Sequence, residues 1–365
     1  MGATGAVGRH TAAELLRQPE VDELTLSGRD ERAVSRLASA FGRASGRVGS
    51  HVVDLSVGRV ADLPEADVIV SCAGPAYETE EQAVRGALRA GVPYVSVCDE
   101  HAALKKVRTL QEEARASGAT IVSGCGVSPG ITNMLIAHAS RELDETQAID
   151  IALARSSAES TGEASARHLL YELGHEAAEI QDHRPRAERS GTAPKLVYFP
   201  EPVGWVETFR SGHPEVITMP ERHGSLESLQ FRVGLIERIT MDAARAFAAT
   251  PLIRREGARR AFVKITRPVR PLIDRLPPSG PPWTAIRIDV RGSKNGSPET
   301  ISLGAVDRLV NLASVPLTLA AMRLALGEAK GPGVKAPEEA FEVGPFLRDL
   351  VRRGIGVARL EPRPL

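Results

Sequence analysis

The sequence predicts an α/β protein: a doubly wound parallel sheet in its first third, then an α+β domain with a mixed sheet. Three observations carry that expectation. A glycine turn, "GATGAVGR", opens directly into a helical pattern. Apolar strand-like runs and amphipathic helix-like runs then alternate up to about residue 127, as parallel strands joined by crossover helices do. From about residue 148 this rhythm gives way to long strand-like runs and an Asn295-Gly296 hairpin signal.

The elements follow in order. "RHTAAELLRQ" places Ala12, Leu15 and Leu16 on one side of a helix. "ELTLSGR" reads as a strand, "ERAVSRLASAF" as a helix and "RVGSHVVDL" as a strand. "ADVIVSCAGP" is nearly all apolar, as a strand covered on both faces must be. "TEEQAVRGALRAG" is a helix closed by Gly91, "PYVSVCDE" a strand, "HAALKKVRTLQEEARASG" one helix and "ATIVSGCG" a strand. Beyond them, "AIDIALARS" and "TAIRIDVRGSKNGSPETISL" read as strands and "STGEASARHLLYELGHEAAEI" as one helix. The basic run "RREGARRAFVKITRPVRPLIDRL" reads as a solvated helix and loop without the aromatic interleaving of a nucleic-acid site.

The chain has 365 residues, enough for about two domains. Lys+Arg and Asp+Glu both number 46, so no net charge draws the protein to nucleic acid or an anionic membrane. The late apolar stretch "LVNLASVPLTLAAMRLAL" is interrupted by Asn311, Pro316 and Arg323, and reads as a buried helix rather than a membrane span. No charged-then-apolar leader is recognisable, and a cytoplasmic location is expected.

In a doubly wound sheet ligands bind beyond the carboxyl ends of the strands. Gly2, Gly5 and Gly8 there permit a tight turn, close approach of backbone to phosphate and close packing of the helix that follows. This is the dinucleotide-binding arrangement of a Rossmann domain. Its first strand is missing from the usual place, since only Met1 precedes Gly2. An upstream start is expected, with an upstream extension of about 5–8 apolar residues stabilising the sheet; otherwise another segment fills the slot. The glycine turn is expected near the edge of that slot.

The cofactor-contacting set expected from these strand ends is Gly2, Thr4, Gly5, Ala6, Val7, Gly8, Ser27, Arg29, Asp54, Cys72, Ala73, Gly74, Pro75 and Gly126. After the second strand-like run, "LSGRDE" offers Ser27 and Arg29 where an acidic residue would serve NAD. A guanidinium there suits a 2′-phosphate, so NADP is expected, with Asp30 keeping NAD possible. Asp54 is placed for the adenine end or for capping a turn. Cys72, Cys98 and Cys125 recur once per strand–helix unit and are read as small buried residues; no metal site is expected.

"GATGAVGR", "DVIVSCAGPAY", "GVPYVSVCDE" and "GCGVSPGITNMLIAHASREL" together resemble the saccharopine dehydrogenase (reductase-type) family. The closing segments "NGSPETISLGAVDRLVNLASVPLTLAAMRLALG" and "GVKAPEEAFEVGPFLRDLVRRGIGV" resemble it too. The resemblance implies a Rossmann domain over residues 1–127, an α+β substrate and dimerisation domain over 128–305, and a helical return onto the first domain over 306–365. It implies NAD(P)-linked chemistry at a carbon–nitrogen bond of an amino-acid-like substrate, in a homodimer. This chain departs from the pattern where relatives often carry acidic groups: Ser96 follows Tyr94-Val95, and Ser128 precedes Pro129-Gly130. Thr132-Asn133 stands where some reductases carry Asp-His.

Tyr77, Asp99 and Asn133 are the candidate catalytic residues: Tyr77 to flank the nicotinamide or donate a proton, Asp99 with Glu100 to hold an amine, Asn133 to bond a carboxamide or carboxylate. Arg210, His213 and Arg222 are the candidates for binding substrate, an arginine matching a carboxylate bidentately. Reduction of a C=C or C=O bond and non-catalytic NADP binding are the alternative readings.

Overall fold

The computed structural model describes residues 1–55, 63–159, 163–266, 268 and 282–361. Part of the basic run, at 267 and 269–276, lies outside the described residues. The chain divides into two compact units, 1–134 with 310–353 and 135–309 with 354–365.

The first unit is built from short parallel strands, numbered here along the whole chain. β1 (Leu24–Gly28) pairs in parallel with β2 (Val48–Val52). β3 (Ile69–Ser71), β4 (Tyr94–Ser96), β5 (Thr120–Val122) and β14 (Gly333–Lys335) form a second parallel sheet in the order β14-β5-β4-β3. Between them run α1 (Ala6–Leu16), α2 (Glu31–Ser45), α3 (Ala76–Ala90), α4 (His101–Arg108) and α5 (Gln111–Ser117), with α6 (Ile131–Ser140) after β5. The predicted strand–helix alternation is therefore present. One expected helix is two, because the chain breaks at Thr109–Leu110 between α4 and α5 without a glycine or proline to announce it.

Burial explains the apolar strand runs. Ile69, Tyr94 and Ile121 from three neighbouring strands pack with Val84 and Ala87 of α3 and with Leu110 in one core. Leu26 of β1 packs with Ala3, Ala12, Val34 and Ala38 in another.

The glycine turn lies between the two sheets. The Met1 amino group donates to the Val70 carbonyl at 2.5 Å, and the Met1 carbonyl accepts from the Cys72 N–H at 3.0 Å. On the other side the Ala3 N–H donates to the Ser27 carbonyl at 3.1 Å. Residues 1–3 thus bond to β1 on one side and to β3 on the other, at the slot beside which the turn is expected. The cause is that backbone groups at strand ends seek partners wherever the chain can offer them.

The second unit carries a mixed sheet. β6 (Glu145–Arg155) runs parallel to β11 (Ser228–Leu235) and antiparallel to β12 (Trp283–Lys294). β12 forms a long hairpin with β13 (Ser297–Arg308), and Asn295 and Gly296 turn it with φ of 51° and 77°. β9 (Lys195–Phe199) and β10 (Gly204–Arg210) extend the sheet at one end, and β15 (Gly356–Leu360) closes the other by pairing with β13. β7 (Glu176–Gln181) pairs with β8 (Arg184–Arg189) and touches β11.

The run expected as one helix over "STGEASARHLLYELGHEAAEI" is helix α7 (Glu163–Leu173) followed by β7. Gly174 ends the helix: a Cβ there would lie 2.7 Å from Ile253 Cγ1, so chain and side chain meet closely at the turn. Two further helices of this unit are α8 (Glu215–Arg222) and α9 (Arg238–Ala248). No described helix is long and apolar enough to cross a membrane. The helix Leu309–Ala325 buries Leu312, Val315, Leu317 and Leu319, as its interrupted apolar pattern suggested.

Candidate functional site

The glycine turn is shaped by contacts that no side chain could share. A Cβ on Gly8 would stand 2.3 Å from the Gly2 carbonyl oxygen, and one on Gly2 would stand 2.6 Å from Ala73 N. Gly2 also has φ +69°, the left-handed region that favours glycine. Gly5 is the N-cap of α1, and its carbonyl accepts from the Arg9 N–H at 3.0 Å. The N–H groups of Ala6, Val7 and Gly8 head the helix, whose first turn holds no acidic residue to compete for them. Thr4 and Gly5 precede these N–H groups at the positive end of the helix dipole, where backbone donors suit an anion.

The end of β1 lies beside it. Ser27 is buried, and its carbonyl accepts from the Ala3 N–H, which ties the glycine turn to the end of β1. Arg29 follows β1 and is exposed. Asp30 is committed elsewhere: its Oδ1 accepts from the Ala33 N–H at 2.9 Å and caps α2. Asp54 is exposed at the end of β2, next to Val53, whose N–H donates to the Gly28 carbonyl.

The third strand end brings Cys72 and Ala73 against Gly2, with Gly74 exposed and Pro75 the N-cap of α3. Tyr77 is half-buried in the first turn of α3, and its N–H donates to Glu100 Oε2 at 2.5 Å. The carboxylate of buried Glu100 thereby closes the positive end of α3. Asp99 is half-buried beside it in sequence. Gly126 is buried and bridges to Gly130; a Cβ on Gly130 would lie 2.1 Å from the Gly126 carbonyl. Asn133 is fully buried, and its Oδ1 accepts from the Gly130 N–H at 3.1 Å, fixing the turn that starts α6. Burial pushes the thiols of Cys72, Cys98 and Cys125 up, so all three stay protonated at neutral pH.

Sequence reasoning missed Glu80. It lies on α3 and is 1% exposed. Tyr94 Oη donates to its Oε2 at 2.9 Å, while Ser96 Oγ and Ser123 Oγ each donate to its Oε1 at 2.5 Å. Its carboxyl is pushed above the usual carboxylate range, chiefly by burial, and the three hydroxyls pull the other way. A signal was present in the sequence: Ala76, Ala83, Val84 and Ala87 form the buried stripe of α3, and Glu80 occupies that stripe one turn after Ala76.

In the second unit the three candidate residues have separate surroundings. Arg210 ends β10 opposite Arg232 of β11. Its Nε donates to Glu179 Oε1 at 2.6 Å and an Nη to Glu188 Oε2 at 3.1 Å, so two carboxylates of the protein already hold this guanidinium. Burial, followed by the charge of Arg210, lowers the Arg232 pKa. His213 is buried, stacked on Phe231 with 3.8 Å between centroids, and its Nδ1 lies 2.5 Å from Glu215 Oε2. Arg222 is exposed in the last turn of α8, with no ion pair to a carboxylate among the described residues.

Residues 1–122 match the family model of the saccharopine dehydrogenase NADP binding domain. The fold is similar to that of apo histidine-tagged saccharopine dehydrogenase (L-Glu forming) from Saccharomyces cerevisiae, with a TM-score of 0.67 and 14% identity over 98% of each chain. A weaker likeness, with a TM-score of 0.45 and 16% identity over 96% of each chain, is to DAP dehydrogenase from C. glutamicum in complex with DAP.

Proposed function

We propose that this chain, which belongs to the saccharopine dehydrogenase-like family through the NADP-binding domain of residues 1–122, reduces an imine or oxidises an amine of an amino-acid-derived substrate. The observation that carries the cofactor side is the meeting of Gly2 and Gly8 with Ser27 and with Cys72–Ala73, beside an exposed Arg29 and an Asp30 withdrawn into a helix cap. The N–H groups of Ala6, Val7 and Gly8 suit a pyrophosphate, and Arg29 suits the 2′-phosphate. Gly74 and Pro75 leave backbone room for the ribose and nicotinamide at the end of β3.

NADPH supplies a hydride to an electrophilic carbon. A protonated imine is already electrophilic, so the chain needs to orient it and exclude water rather than provide a strong base. This fits a unit whose strand ends carry hydroxyls and buried acids instead of a nucleophile. Tyr77 and Asp99, beside the cofactor's expected nicotinamide end, are the groups we assign to the amine, and Asn133 to the turn that shapes that end. On the second unit, the exposed guanidinium of Arg222 is chemically suited to a substrate carboxylate, whereas Arg210 would first have to give up Glu179.

The test is NADPH oxidation followed by absorbance with mixtures of 2-keto acids and amines or amino acids, set against enoyl and simple carbonyl substrates. Turnover confined to the keto-acid and amine mixtures is expected. Turnover of enoyl substrates alone would replace the carbon–nitrogen assignment with C=C reduction.

A further inference from the structure

Among the described residues Glu80 has no cation for a partner. The hydrogen bonds of its carboxyl group there are to hydroxyls: Tyr94 at the start of β4, Ser96 at its end, and Ser123 just after β5. Ser96 Oγ in turn accepts from the Cys98 N–H at 3.3 Å and the Gly124 N–H at 3.4 Å. One side chain from α3 therefore ties together the carboxyl ends of two neighbouring parallel strands and the turns that leave them. Gly124 shows how tight that junction is, since a Cβ there would lie 2.8 Å from the Cys98 carbonyl. In a doubly wound sheet these turns border the ligand.

We infer that Glu80 is a positioning residue whose ionisation selects between the two redox forms of the nicotinamide cofactor, the ionised carboxylate favouring NADP+ over NADPH. The inference rests on the cofactor placement proposed above. The two forms differ by one positive charge on the ring. A buried carboxylate without a cation of its own acts over a long range, because little solvent or counter-charge screens it. When it accepts from all three hydroxyls it is a full negative charge next to the nicotinamide end of the site. When protonated it donates one O–H to a hydroxyl, keeps the strand ends tied and presents no charge.

The groups around it leave Glu80 as the titrating member. Tyr94 and Cys98 are pushed well above their usual values by burial and by Glu80 itself, so both stay neutral across the working range. Glu100 faces it from the chain after β4, raises its pKa further and is itself bonded to the Tyr77 N–H. Burial raises the Glu80 pKa above that of an exposed glutamate, so its ionisation falls at higher pH than that of surface carboxylates.

The experiment measures dissociation constants of NADPH, by nicotinamide fluorescence, and of NADP+, by competition, from pH 5 to 9. In the wild-type protein the affinity for NADP+ relative to NADPH should rise with pH by about tenfold, the size of one unit-charge interaction across a protein interior. Glu80→Gln keeps an acceptor and a donor for the same hydroxyls and should give a flat ratio while still binding both forms. Calorimetry of the wild type in two buffers of different ionisation enthalpy provides a measurement that needs no variant: NADP+ binding should release a fraction of a proton, and NADPH binding should not. A flat wild-type ratio, a slope that survives in Glu80→Gln, or equal proton release for both forms would overturn the inference. Those outcomes leave the cofactor reading intact, whereas failure of either nucleotide to bind would overturn both.

Discussion

Gly8 and Gly2 approach so closely that a Cβ on Gly8 would stand 2.3 Å from the Gly2 carbonyl oxygen. Helix α1 can therefore begin where it does only without a side chain at residue 8. Gly8→Ala should force the helix away from the turn, cost about 1–3 kcal/mol in chemical denaturation and weaken NADPH binding at least tenfold. Gly5 gives the contrast, because a Cβ there would lie 3.4 Å from the same oxygen in an ordinary extended conformation. Equal stability losses in Gly8→Ala and Gly5→Ala would show that the close approach does not matter.

Cofactor choice should follow Arg29. It is exposed after β1, and the neighbouring Asp30 is engaged with the Ala33 N–H. NADPH should bind more tightly than NADH, by about tenfold or more for a charge-assisted pair. Arg29→Asp should reverse that order by replacing a phosphate partner with an acceptor for the ribose hydroxyl. Equal affinities for the two nucleotides in the parent protein, read by fluorescence titration, would remove Arg29 from the site.

Arg210 should matter for stability before it matters for substrate. Removing it leaves Glu179, which is 2% exposed, without its partner at 2.6 Å. Arg210→Ala should cost about 3–5 kcal/mol in urea unfolding. The double variant Arg210→Met with Glu179→Met should recover most of that loss, since neither charge is then left buried. A single variant as stable as the wild type would mean that the pair contributes nothing.

His223 gives the fold an acid-sensitive point. Burial, assisted by Arg222, lowers its pKa to about 4 from the usual 6.5. The folded protein thus binds fewer protons than the unfolded chain between those values, and stability falls as pH drops from about 6.5 towards 4. Above that window the imidazole is neutral in both states and contributes no slope. Melting temperatures of His223→Gln should decline less steeply over the same range, and identical slopes would assign the acid sensitivity to other groups.

The glycine turn and the strand ends were legible because their requirements are local. Three glycines at fixed spacing, a strand ending in Ser27-Gly28 with Arg29 after it, and the run through Cys72 to Pro75 each announce a backbone or charge requirement within a few residues. The second unit was harder to read. Arg210 looked like an anion binder, yet its partners Glu179 and Glu188 come from β7 and β8, and β7 was hidden because the helical pattern of α7 reads on past Gly174. Glu80 was passed over as one more charge on an amphipathic helix.

The sequence by itself determined the alternation of strands and helices, the glycine turn and the hairpin at Asn295-Gly296, because each depends on periodicity or on backbone conformations that particular residues permit. Only the tertiary structure decided which distant groups share a carboxyl or a carbonyl. Ser96 and Ser123 stand on different strands and Glu80 on a helix, and hydrogen bonding among them is fixed by how α3 packs over β4 and β5. The same holds for β15, which leaves no mark in the sequence and is set by the open edge of β13. Local propensity specifies elements; the partners of buried polar groups are specified by packing, where an unpaired group costs more than most single contacts return.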